Sequence, residues 1–169
     1  MSDTNHPVPE GKLTLFRGAG APNLEESGMV VERSFVGGGS MEDLFDQRTI
    51  GDASTRVPFR QAGDSGMSLV HIWFPPGFLL PRHSHSADCL YYIIDGSLVM
   101  GTRELGPGDG FFVAADQPYA YLAGAAGVKL LEFRHSTAFD TKFFEKDTRR
   151  FAEKAAASLA EAATATREG

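Results

Sequence analysis

The stretch Gly77-Phe78-Leu79-Leu80-Pro81-Arg82-His83-Ser84-His85 decides how this chain is read. Side chains alternate between the two faces of a strand, so His83 and His85 point the same way and Arg82 the other. Two imidazoles on one face can reach a single ion or ligand inside a barrel. Cys89 shares their parity, as do Tyr91 and Ile93 on the strand that follows, while Leu90, Tyr92 and Ile94 take the opposite face.

Working outward, strand signals come in quick succession, at 55–60, 67–74, 78–83, 89–94, 97–100, 110–113, 119–123 and 128–135. Turn residues punctuate them: Pro75-Pro76-Gly77, Asp95-Gly96, Gly106-Pro107-Gly108-Asp109 and Gly124-Ala125-Ala126-Gly127. Asp95-Gly96 reads as a hairpin turn, since glycine tolerates the positive φ that a tight turn needs. About eight short strands at this spacing predict an all-β domain, an antiparallel jelly-roll barrel. Upstream, 1–28 reads as an irregular arm and 29–36 as a first strand. One helical turn is expected over 41–47, capped by Ser40. Downstream, Phe144, Thr148, Phe151, Ala155, Leu159 and Ala162 recur at helical spacing, which predicts a C-terminal helix with Asp140 as its N-cap. The expected organisation is an arm at 1–28, one barrel domain at 29–139, and a helix and tail at 140–169.

The spacing around the histidines resembles that of the cupin family. Its first motif is a Gly, five residues, His-x-His, three or four residues, Glu, six residues and Gly. Here Gly77, His83-Ser84-His85, Cys89 and Gly96 keep every interval, with Cys in place of Glu. The second motif is a Gly, five residues, Pro-x-Gly, two residues, His, three residues and Asn. Its counterpart is Gly108, Ala114-Ala115-Asp116, Tyr119 and Ala123, with Tyr in place of His and Ala in place of Asn. The resemblance implies a barrel whose interior holds a divalent transition metal (iron, manganese, zinc, nickel or copper) on the family's His, His, Glu and His positions. His83 and His85 are the retained standard ligands. Cys89 is either a thiolate ligand or a small buried apolar residue. Tyr119 stands at the fourth ligand position and, with an ordinary phenol pKa near 10, is first a hydrogen-bond donor and the candidate catalytic acid. Tyr91, Phe112, Tyr121 and Trp73 are the expected aromatic wall for a small-molecule substrate. His135 shares parity with Leu131 and Phe133 and is expected near the barrel end, with no metal role; His71 is read as a core or rim residue and His6 as solvated in the arm.

Charge narrows the function classes. With 16 Lys and Arg against 22 Asp and Glu the net charge is −6, the wrong sign for a nucleic-acid partner. No run approaches the roughly 20 apolar residues of a membrane span, no secretory signal is visible, and Cys89 is the only cysteine. A cytoplasmic protein is expected. The unpaired edge that strand 29–36 would present predicts a homodimer. Two functions follow: a metal-dependent enzyme with dioxygenase-like, isomerase or lyase chemistry on a small organic molecule, or a non-catalytic ligand-binding or sensing cupin with a degenerate metal site.

Overall fold

The computed structural model describes residues 13–63 and 65–168, so His6 lies outside the described residues. In chain order the elements are β1 (Val30–Phe35), α1 (Met41–Phe45), α2 (Gln47–Ile50), β2 (Ser54–Arg60), β3 (Ser68–Phe74) and β4 (His83–His85). They continue with β5 (Cys89–Met100), β6 (Arg103–Leu105), β7 (Gly110–Val113), β8 (Leu122–Arg134), β9 (Phe139–Phe143) and α3 (Thr148–Glu168). One sheet runs β2-β3-β8-β5-β6 with β7 also paired to β5; the other runs β1-β9-β4. The two sheets share one core, an open jelly roll rather than a closed cylinder, with Met29 and Phe139 packing against Val70, Ile72, Ile93 and Leu130.

Alternation builds that core as the sequence predicts. In β3, Val70, Ile72 and Phe74 are buried, and in β5, Cys89, Tyr91 and Ile93, while Leu90, Tyr92 and Ile94 face outward and are about half exposed. Ser40 caps α1, its hydroxyl accepting from the Glu42 N–H at 3.1 Å.

Five details depart from the sequence reading. Asp95-Gly96 is not a hairpin turn, because β5 runs unbroken from Cys89 to Met100 against β8. The positive φ of Gly96 (71°) serves a bulge, with register shifts on either side; the tight turn falls at Gly101, φ 63°. Likewise 124–127 is absorbed into β8, where Gly127 (φ 74°) precedes Val128, the register partner of Gly96. A positive-φ glycine suits a turn or a bulge equally, and only the partner strand decides between them. Residues 78–82 form no regular strand: Pro81 removes a ladder donor, and the segment is held instead by isolated bridges, Leu79 to Leu122 and His83 to Tyr119.

The sheets are also not wholly antiparallel, since β1 runs parallel to β9. That pairing is open to two strands joined by nearly the whole chain, because parallel neighbours need a long crossover. Finally, Asp140 lies in β9 and not at a helix start. Phe139, Thr141 and Phe143 are buried in strand alternation, and α3 begins after Asp147, whose carboxylate accepts from the Arg150 N–H at 3.0 Å. The helix packs Phe151 and Ala155 against Leu44 and Phe143, and Ser158 donates to the Gly77 carbonyl at 2.7 Å, fixing the turn that leads into the histidine segment. No helix among the described residues is long and apolar enough to cross a membrane.

The bulge gives a test. A Cβ on Gly96 would sit 2.0 Å from the Gly127 carbonyl oxygen, whereas one on Gly101 meets nothing within 4 Å. Gly96→Ala should therefore lower stability by at least about 2 kcal/mol in urea unfolding, and Gly101→Asn by well under about 1 kcal/mol. Equal effects of the two would contradict the bulge.

Candidate functional site

Three elements meet at one end of the interior. β4 lies antiparallel to β9, with His83 opposite Phe143 and His85 opposite Thr141. The backbone of Tyr119 exchanges hydrogen bonds with that of His83, at 3.1 and 3.0 Å, so the second-motif position is tied directly to the first. In the large sheet Tyr91 of β5 lies across from Glu132 of β8, bringing a phenol beside a carboxylate. Between the sheets is a cavity of about 730 Å³, walled by apolar side chains such as Ile72, Phe74, Phe78 and Leu80. Its polar groups are His83, His85, Tyr91, Tyr119, Glu132 and Arg134, with further polar residues from the arm and β2.

Hydrogen bonds orient the two imidazoles. His83 Nδ1 donates to the Pro81 carbonyl at 2.7 Å, which leaves its Nε2 an acceptor. His85 Nδ1 lies 3.2 Å from Thr141 Oγ1, and the two Nε2 atoms are 3.2 Å apart. If the Thr141 hydroxyl donates to His85 Nδ1, then His85 Nε2–H donates to His83 Nε2, and the pair is satisfied with no third party. Burial holds both rings neutral. It lowers His83 to about 4, helped by the Arg134 cation and opposed by the Pro81 bond. It lowers His85 well below the usual value, with His83 and Arg134 adding to the effect.

The phenols are neutral donors. Tyr91 and Tyr119 hydroxyls are hydrogen-bonded to each other, and burial raises both, with Tyr121, above the ordinary phenol range. Phe111, not Phe112, stacks on Tyr91, with centroids 4.5 Å apart. Phe112 is 62% exposed on the outer face of β7 and does not line the cavity. Trp73 also faces away: it shares parity with Leu69 and His71, and the Lys129 ammonium lies 5.9 Å from its ring. Cys89 is buried in the core beside Tyr91 but is not part of the cavity wall, and burial pushes its thiol up, toward the protonated form.

Sequence reasoning missed Glu132 and Arg134. The inward phase of β8 is Val128, Leu130, Glu132 and Arg134, so His135, expected near the barrel end, is exposed instead. The available signal was two charges in phase with buried apolar residues on one strand. Arg134 forms an ion pair with Glu132, and its guanidinium covers the Phe139 ring at 3.9 Å. Its side chain is fully buried.

These residues do not make a good metal centre. A protein-held transition metal takes at least three protein donors as a rule. Among the described residues no three His, Cys, Asp or Glu side chains are grouped to hold an ion. The two imidazoles converge, but Glu132 is engaged by a cation, and that cation sits close enough to depress both histidines. What the arrangement can do is hydrogen-bond a polar group with neutral imidazoles and phenols.

The histidines also fix a pH dependence. Because His83 titrates lower when folded than the ordinary 6.5, the unfolded chain takes up the proton first as pH falls. Its contribution is undiminished above pH 6.5 and is lost on acidification toward pH 4, where the deficit is on the order of 3 kcal/mol. In paired urea titrations the His83→Gln variant should show a shallower loss between pH 6.5 and 4 than the parent. Parallel profiles would mean that His83 is not held neutral by burial.

No protein-family model and no curated protein matches the chain. Among solved structures, the polyketide cyclase RemF from Streptomyces resistomycificus aligns over 69% of this chain and 89% of its own, at 20% identity and a TM-score of 0.50. An RmlC-like cupin from Ralstonia eutropha JMP134 aligns at 15% identity and a TM-score of 0.44, over 51% of this chain and 57% of its own. DMSP lyase DddQ from Ruegeria pomeroyi DSS-3 aligns at 25% identity and a TM-score of 0.43, over 50% of this chain and 47% of its own. The likeness to RemF is one of fold alone, and that fold is the open jelly roll of two facing sheets.

Proposed function

We propose that this cupin binds a small, largely apolar organic molecule in its interior cavity, and does so without a resident metal. The observation that carries the reading is the cavity itself. At about 730 Å³ it lies within the range of small-molecule sites, and its walls are aromatic and aliphatic with a few convergent polar groups. Dioxygenase-like chemistry, which the first motif suggests, needs an ion with open positions, and the donor set does not supply one. Isomerase or lyase chemistry by proton transfer is the catalytic form compatible with the residues present. Tyr119 would then serve as donor, and His83 Nε2 as acceptor once a ligand displaces the hydrogen bond from His85 Nε2.

Indole is a suitable probe, apolar and small enough for such a space. It should raise the melting temperature of the full chain in a dose-dependent way. Ala53→Trp, which puts an indole ring of the protein's own into the cavity wall, should abolish that response. An unchanged melting temperature with saturating indole, or a response undiminished in Ala53→Trp, would sink the reading.

A further inference from the structure

We propose that Arg134 is the anchor for a carboxylate on the ligand, so that the molecules this cavity takes are small aromatic or aliphatic acids. The inference rests on the cavity being a ligand site. Arg134 lines it with its side chain entirely out of solvent, and Glu132 meets the guanidinium at Nη1. Nε and Nη2 have no hydrogen-bond partner among the described residues. A guanidinium carries five N–H donors, and one carboxylate approaching one nitrogen leaves the rest unsatisfied. Buried donors are almost always paired, so the free side of this group calls for acceptor oxygens. A planar carboxylate matches the guanidinium fork with two parallel hydrogen bonds, which a single carbonyl does not.

The surroundings agree with an acid rather than a neutral ligand. Phe139 covers one face of the guanidinium at 3.9 Å, which closes that face to a ligand. Tyr91 and Tyr119 share one hydrogen between them, leaving one phenol O–H free for a ligand oxygen. The cavity lining carries Arg33, Arg56 and Arg134 but only Glu25 and Glu132. Glu25 pairs with Arg33 and Glu132 with Arg134, so the cation in excess is Arg56, an exposed residue of the lining.

The test compares benzoate with benzamide, two probes of nearly one shape that differ in charge, by calorimetric titration of the full chain at pH 7. Benzoate should bind at least about tenfold more tightly. Arg134→Met should bring benzoate down to the level of benzamide. Should that variant fail to fold, Arg134→Lys is the substitute: its ammonium keeps the charge but not the fork, and most of the benzoate preference should go. Equal affinities in the parent protein would overturn the carboxylate assignment while leaving the cavity reading in place. A benzoate preference that survives substitution of Arg134 would overturn the anchor. Binding of neither probe would overturn the assignment too, and indole binding would then tell whether the cavity reading falls with it.

Discussion

Arg134 lies with its side chain out of solvent at the polar end of an apolar cavity, held by Glu132 two residues earlier on the same face of β8. Much else in the interior follows from that placement. A buried cation disfavours further positive charge nearby, so it helps to keep His83 and His85 neutral. It favours negative charge, and offsets part of what burial does to the Tyr91, Tyr119 and Cys89 protons, though burial wins at all three. Burying an ion pair is costly unless its remaining donors are satisfied, which is why the free edge of Arg134 matters more than the pair itself. The result is an interior of neutral donors and acceptors arranged around one buried ion pair.

The histidine segment was legible in the sequence because its logic is local. Alternation puts His83 and His85 on one face and Tyr91 on the inward side of β5, and the motif intervals set Tyr119 beside them. The failures share a cause: each depended on a partner strand that a one-dimensional pattern does not contain. Asp95-Gly96 reads as a turn until β8 is seen running past it. Asp140 and Phe144 fit the start of a helix until β9 claims 139–143 as a strand between β1 and β4, while Phe151 keeps its place in α3. In β8 the apolar residues Leu131 and Phe133 favour one phase in the sequence, whereas the phase that faces the cavity carries Glu132 and Arg134. Trp73 and Phe112 were assigned inward for their chemistry, although the parity of Trp73 already placed it with His71 and Leu69.

The substitutions in the two motifs now have a physical sense. With Glu replaced by Cys89, the thiol withdraws into the core, where a small apolar group packs well. With His replaced by Tyr119, a ligand position becomes a hydrogen-bond donor linked to Tyr91. Tyr119 shares the cavity wall with a buried cation, Arg134. The motif intervals serve the turns and pairings of the fold: His83 and Tyr119 exchange backbone hydrogen bonds, and Gly96 takes the positive φ of a bulge.

The central claim is that this interior accommodates an organic ligand and not an ion. The most direct measurement is the metal content of the full chain, purified without chelator and read by mass spectrometry for iron, manganese, zinc, nickel and copper. The account predicts less than about one tenth of an equivalent of all five together. Close to one equivalent of any of them, lost when His83 and His85 are both replaced by Ala, would contradict it.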